Sequence, residues 1–192
     1  MNNNIPNIPP EKENFWRETV KFAVIALAIV LPFRYLIAQP FIVSGESMVP
    51  TFANGEYLIV DELTYRFVHN PERGDVVIFK YPYDRSKYFI KRIIGLPGET
   101  ITLHSGQLSV KIASSTVIIQ EPYISEITGD ELTVTLKDNQ YFVLGDNRPE
   151  SSDSRIWGPL DKKFITGRAF ARLLPLRRLD IFPGQIETKI AP

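Results

Sequence analysis

Two residues in this chain have the types needed for nucleophilic chemistry, if the fold brings them together. Ser47 lies in Ser44-Gly45-Glu46-Ser47-Met48-Val49-Pro50-Thr51. Lys91 lies in Phe89-Ile90-Lys91-Arg92-Ile93-Ile94-Gly95-Leu96-Pro97-Gly98-Glu99. A serine hydroxyl is a weak nucleophile and needs a base to take its proton. A lysine can be that base when it is neutral, which requires burial to bring its pKa from about 10.4 towards roughly 7–8. Tyr88, Phe89, Ile90, Ile93 and Ile94 give Lys91 an apolar setting that can desolvate it. Arg92, next in a strand pattern, points to the opposite face, so one face is expected dry and the other wet. A third polar segment, Leu144-Gly145-Asp146-Asn147-Arg148-Pro149-Glu150-Ser151-Ser152-Asp153-Ser154-Arg155-Ile156-Trp157-Gly158, is dense in hydroxyls and charges.

Each segment also has an ordinary reading. Ser44 and Ser47 are good turn residues beside Gly and Pro. A lysine in a strand commonly snorkels to solvent, and Gly-Asp-Asn with Ser-Ser-Asp-Ser-Arg is how a self-bonded polar loop is written. Spacing alone does not choose between the two readings. Composition removes several alternatives. The absence of cysteine excludes disulfides, thiolate metal sites and a Cys nucleophile, and His69 and His104 alone leave little material for a zinc site or a Ser-His-Asp triad. No metal or cofactor is expected. The 22 basic and 22 acidic residues cancel, which gives no sign of nucleic-acid binding.

The elements that must position these groups fall into three parts. Residues 1–14, rich in Asn and Pro, read as a disordered tail on the cytoplasmic side. Residues 15–38 read as one transmembrane anchor, whose apolar run Phe22 to Ala38 spans roughly 25 Å as a helix. Leu36 is too large, three positions ahead of a cut after Ala38, for a cleaved leader. Lys12, Arg17 and Lys21 favour a cytoplasmic N-terminus, leaving everything after Gln39 outside. Residues 39–192 read as a mainly β domain, from runs such as Glu56–Val60, Asp75–Phe79, Tyr88–Ile90, Thr116–Ile119, Leu132–Leu136 and Tyr141–Leu144 separated by turn residues. Residues 106–138 read as a β-ribbon excursion from it. No long amphipathic helix follows the anchor.

In this order the three segments resemble the boxes of type I signal peptidases, serine-lysine proteases that process secreted preproteins. Ser-Met-x-Pro-Thr is matched by Ser47 to Thr51. Lys-Arg-x-x-Gly-x-Pro-Gly is matched by Lys91 to Gly98, with Glu99 where the family usually has Asp. Gly-Asp-Asn-Arg-x-x-Ser-x-Asp-Ser-Arg-x-Trp-Gly is matched by Gly145 to Gly158. Gly74 to Phe79 also fits, and the resemblance runs roughly from Trp16 to Leu174. It implies a signal-peptidase-type β-rich catalytic domain in which Ser47 attacks the scissile carbonyl and Lys91 takes its proton. Ser151 would then orient the lysine amine, and Asp153 with Arg155 would hold the loop, supported by Asp146. The Ser47 N–H is an expected oxyanion donor. Gly45 stands where many Gram-negative members carry a second donor, with Ser44 one residue further back; the Gly-x-Ser-Met form resembles the Gram-positive variant.

The resemblance further implies a substrate that is a signal peptide ending in small residues, typically Ala-x-Ala, bound against strand edges at Pro40 to Ser44 and along the strand reaching Lys91. Phe41, Ile42, Val43, Tyr88 and Ile90 are the expected pocket walls, and Phe52 or Phe67 are candidates for a surface dipping into lipid. A membrane-bound monomer is expected, single-pass in the cell (inner) membrane with its catalytic domain on the outer face. Three rivals remain. A self-cleaving repressor shares the Ser and Lys but carries a DNA-binding module, where this chain has an apolar run. An inactive binding module has no reason to keep Ser47, Lys91 and Ser151 together. A specialised processing peptidase of the same family is not separable by sequence.

Overall fold

The computed structural model describes residues 15–32 and 38–186. The expected tail over 1–14 lies outside the described residues, as do 33–37 of the expected anchor and 187–192. The described chain forms two compact units, divided between Leu36 and Ile37.

In the first unit, α1 (Phe15–Pro32) is an 18-residue helix with Glu18 in its first turn, the end at which helix polarity favours an acid. The Thr19 hydroxyl donates to the Phe15 carbonyl at 2.8 Å. Phe22, Val24, Ile25 and Leu27 are exposed. Arg17, Glu18 and Lys21 fall within the same helix, and among the described residues no helix is long and apolar enough to cross a membrane. Nor does the helix run to Ala38 as expected. Ala38 already opens a strand, where pairing opposite Asp61 meets its backbone's hydrogen-bonding needs.

The second unit is mainly β. Its larger sheet has eight strands among the described residues. From one edge these are β1 (Ala38–Ile42), β2 (Tyr57–Asp61), β11 (Ile165–Leu174), β3 (Val76–Tyr81), β4 (Asp84–Gly95), β9 (Gln140–Leu144) and β10 (Leu160–Asp161), while β12 (Asp180–Ile181) pairs with β11. Every pairing is antiparallel. Two short helices, α2 (Thr64–Phe67) and α3 (Ser154–Trp157), sit in connections. Both faces of the sheet are covered. Along β3, Val76 and Ile78 join a core with Met48, Phe52, Leu58 and Val60, whereas Val77 and Phe79 join another with Ile93, Tyr141 and Val143. Phe52, a candidate for lipid contact, is fully buried in the first of these cores; Phe67 is 78% exposed.

The ribbon expected over 106–138 is larger than a ribbon. It is a four-stranded antiparallel sheet in the order β7 (Ser115–Ile118), β6 (Gln107–Ile112), β5 (Thr100–His104), β8 (Leu132–Thr135), and it begins at Thr100. Ile101, Leu108 and Val110 pack with Ile94, Phe142 and Leu144 of β4 and β9, so the two sheets share one core.

Two strands have an open side. β1 pairs only with β2, and β4 pairs with β9 only from Arg92 to Gly95, so Asp84–Lys91 has β3 on one side and no strand on the other among the described residues. The sheet curls until these open sides approach, with the Phe41 and Tyr88 rings 5.1 Å apart, edge to face. Ser47 and Lys91 stand at the end of that gap.

Candidate active site

Ser47 follows β1 in a run of tight turns. Gly45 has φ 91°, a conformation suited to glycine. The Val49 N–H donates to the Glu46 carbonyl at 3.1 Å and the Phe52 N–H to the Met48 carbonyl at 2.8 Å. The Met48 side chain is 1% exposed and plugs the core beneath, which fixes its neighbour. Lys91 lies opposite Val77 in β4, one residue before β9 begins to pair.

The two side chains meet. Lys91 Nζ donates to Ser47 Oγ at 2.7 Å and to the Ile90 carbonyl at 2.9 Å, and lies 5.4 Å from the Phe89 ring centre. The lysine is 3% exposed. Burial pushes its pKa down to about 8, against the opposing pull of the Asp153 and Asp146 carboxylates. Once the amine is neutral the contact reverses, the hydroxyl donating to the nitrogen lone pair. A hydroxyl held by a buried, near-neutral amine can give up its proton as its oxygen attacks a carbonyl.

The loop after β9 braces this pair. Asn147 N–H donates to the Ser47 carbonyl at 3.0 Å, and its Nδ2 to the Glu46 carbonyl at 3.1 Å. Sequence reading passed over Asn147, although it lies inside the third box. A Cβ on Gly145 would collide with Ser151 Oγ and the Ser47 carbonyl, so only glycine fits there. Ser151 is accordingly packed close by and buried, but its Oγ has no hydrogen-bond partner among the described residues, and the expected bond to Lys91 is not formed. Asp153 accepts from the Gly145 N–H at 3.0 Å and from Arg155 Nε at 2.8 Å, and Arg155 also reaches Asp130 at 2.7 Å. These contacts tie the loop together.

Arg92 departs from expectation. It does point away from Lys91, but the far face is not wet: Arg92 is 1% exposed. Its Nε and Nη2 donate to the two Asp146 oxygens at 2.9 and 2.5 Å, and Nη1 donates to the Gly74 and Gly184 carbonyls. The Tyr123 ring lies 4.2 Å from its guanidinium carbon. The loop after β7 and the C-terminal segment cover that face. Asp146 also accepts from the Thr51 hydroxyl at 2.5 Å, linking the loop to the serine turn.

Gly45 spends its N–H on Asn54 Oδ1 at 3.0 Å, and Ser44 is exposed. The Ser47 N–H has no hydrogen-bond partner among the described residues. A groove of about 420 Å³ runs up to the pair. Phe41, Ile42 and Val43 line one side, Tyr88 and Ile90 the other, with Leu58 and Ile78 between and Ser44, Gly45, Ser47 and Lys91 at its end. Val43 is buried in the core, whereas Ile42 and Tyr88 are 66% and 43% exposed. Glu150 and Ser152 also line this groove and were missed by sequence reading. Among the described residues no group of three His, Cys, Asp or Glu is placed to hold a metal ion.

Residues 16–174 match the family described as signal peptidase, peptidase S26. A probable signal peptidase I-1 of Synechocystis sp. is 36% identical over 177 residues, covering 88% of this chain and 88% of its own. A signal peptidase I of Bacillus licheniformis is 35% identical over 180 residues, covering 88% of this chain and 94% of its own. The crystal structure of a signal peptidase I from Enterococcus faecalis V583 overlays 51% of this chain and 95% of its own, at 31% identity and a TM-score of 0.46. A family match running from α1 to the end of β11, together with relatives at this identity over most of their length, means that the chain belongs to the signal peptidase family, peptidase S26, and is a serine peptidase.

Proposed function

We propose that this protein is a membrane-anchored endopeptidase that removes N-terminal signal peptides from translocated preproteins after Ala-x-Ala-type sites, with Ser47 as nucleophile and Lys91 as general base. The observation that carries the reading is the 2.7 Å contact between Ser47 Oγ and a lysine amine that is buried and brought down to about 8. In the acylation step Ser47 Oγ bonds to the scissile carbonyl carbon while its proton passes to Lys91 Nζ. The unpaired Ser47 N–H is suited to the oxyanion that forms. The C–N bond then breaks, the Lys91 proton goes to the leaving amine, and the signal peptide remains as an ester on Ser47. Water, giving its proton to Lys91, cleaves the ester to a carboxylic acid and restores the serine. Ser151 can turn its unpaired hydroxyl towards the amine during this cycle, which would give that hydroxyl its missing partner. An oxyanion role for Ser44 has no hydrogen bond to support it.

The open sides of β1 and β4 suit an extended peptide hydrogen-bonded as an added strand. The Phe41, Ile42, Val43, Tyr88 and Ile90 walls leave shallow space for the small side chains before the cut. The apolar run that begins in α1, with its exposed Phe22, Val24, Ile25 and Leu27, supports a single membrane anchor with Lys12, Arg17 and Lys21 on the cytoplasmic side. The test is cleavage of an Ala-x-Ala preprotein in detergent by wild type, Ser47→Ala and Lys91→Ala. Cutting after the small residue by wild type, with both folded variants inactive, is the expected result; near-full activity in Lys91→Ala removes the lysine from the mechanism.

A further inference from the structure

Ser47 belongs to no strand or helix, so its aim depends on what grips its turn from either side. Asn147 grips one end, through the Glu46 and Ser47 carbonyls. The other end is gripped from the last part of the chain. Arg172 of β11 donates from Nη1 to the Thr51 carbonyl at 3.0 Å, and Arg178, in the short turn Leu176–Arg178, donates from Nη2 to the Pro50 and Thr51 carbonyls at 3.2 Å each. Both arginines are themselves aimed by one carboxylate. Glu56, 2% exposed, accepts from Arg172 Nη1 at 2.8 Å and from Arg178 Nη1 at 2.5 Å. The Phe52 ring lies against the Arg172 guanidinium, 5.0 Å from its centre. Thr51 is therefore a junction. Its carbonyl faces the two arginines, and its hydroxyl reaches Asp146, whose partner Arg92 adjoins Lys91 in sequence.

We infer that Glu56, Arg172 and Arg178 form a positioning clamp that sets the aim of Ser47, with Arg178 as the member through which the C-terminal segment acts. The inference rests on Ser47 being the nucleophile. The Arg178 side chain bonds to Glu56 and to the Pro50 and Thr51 carbonyls, away from the groove, whereas Glu56 and Arg172 also back its walls: the Glu56 carbonyl accepts from the Val43 N–H at 2.9 Å, and Arg172 pairs with Leu58 across the sheet. Releasing Arg178 therefore misplaces the attacking oxygen without disturbing the groove walls, and such misplacement costs rate. Arg178 is the informative position to change: its side chain is 36% exposed, whereas Glu56 and Arg172 are buried, so that removing either breaks a buried ion pair and costs folding as well as aim.

The experiment uses the full chain in detergent, comparing wild type, Arg178→Gln, Arg178→Lys and a control, Ile101→Ala, which lowers stability from the other sheet. Arg178→Gln is expected to lose about tenfold in kcat with KM within about twofold, and with the acid limb of its pH profile unmoved because the surroundings of Lys91 are unchanged. Arg178→Lys, keeping the charge but not the fork, falls between. Ile101→Ala keeps kcat well below its melting temperature. Amide exchange at Val49 and Phe52, which hydrogen-bond within the turn, speeds up in Arg178→Gln and not in Ile101→Ala. An Arg178→Gln protein with unchanged kcat and unchanged exchange overturns the clamp, as does a loss of kcat matched by an equal rise in KM. If wild type never cuts while the exchange behaves as stated, the functional reading fails and the clamp stands as a restraint on the turn.

Discussion

At the scale of single residues, the chemistry rests on how Lys91 is kept from holding its proton too firmly. With Lys91 only 3% exposed, burial dominates and the Asp153 and Asp146 charges only partly offset it. Below about pH 8 most of the base is protonated. The rate at limiting substrate, kcat/KM, is thus expected to rise with pH through about 8 and to level off above it. A limb below pH 7 would remove this lysine as the titrating group. The same burial affects stability, with a definite sign. The folded-state pKa lies below the ordinary 10.5, so between about 8 and 10.5 the unfolded chain binds the extra proton, and stability rises with pH across that window. Lys91→Met is accordingly expected to be more stable than wild type below pH 8, with the difference shrinking as pH approaches 10.5; urea titrations at several pH values measure it.

At the scale of elements, β4 carries the site. It presents Lys91 to one face and Arg92 to the other, and both faces are covered. Removing one partner of the buried Arg92–Asp146 pair, as in Arg92→Leu, is expected to cost about 3–5 kcal/mol, because a carboxylate is left inside without its cation. Replacing both residues with apolar ones is expected to cost less, and chemical denaturation of the single and double variants separates the two effects. The β2, β3, β8 and β9 strands were legible because their apolar residues are β-branched or aromatic and turn residues bound them. Of the two longest strands, only the Tyr88–Ile90 part of β4 was read, and β11 was not. β4 extends back to Asp84 through Arg85, Ser86 and Lys87, polar residues suited to an open side. β11 is written Ile-Thr-Gly-Arg-Ala-Phe-Ala-Arg-Leu-Leu. Its inward Arg172 breaks the alternation a strand is read by, and the buried carboxylate that pairs with that arginine, Glu56, stands more than a hundred residues earlier. The same limit hid the burial of Arg92. Alternation says which way a side chain points but not what later covers it, here Tyr123 and Gly184. Ser47 and Lys91 could be named from their boxes; that their side chains meet depends on the sheet curling from β1 round to β4, which no local pattern records.

At the scale of the whole β unit, the second sheet is part of the structure that holds the site. Ile101 is fully buried and packs beside Gly95, where a Cβ would collide with it. Ile101→Ala is expected to cost about 2–5 kcal/mol. It should also lower the melting of the unit as one transition, the same by far-UV circular dichroism and by Trp157 fluorescence in a Trp16→Phe background. Two separate transitions would mean that the sheets unfold independently despite their common core. The open side of β4 carries a further consequence. Backbone groups left free to receive an extended chain do not distinguish the intended chain from any other, including one from a misfolded neighbour. Along that stretch stand Asp84, Arg85 and Lys87, with Asp84 and Lys87 paired at 3.2 Å. A flat apolar intruder would have to strip water from these charges to lie down, so the residues that obscured the strand in the sequence also guard it against aggregation.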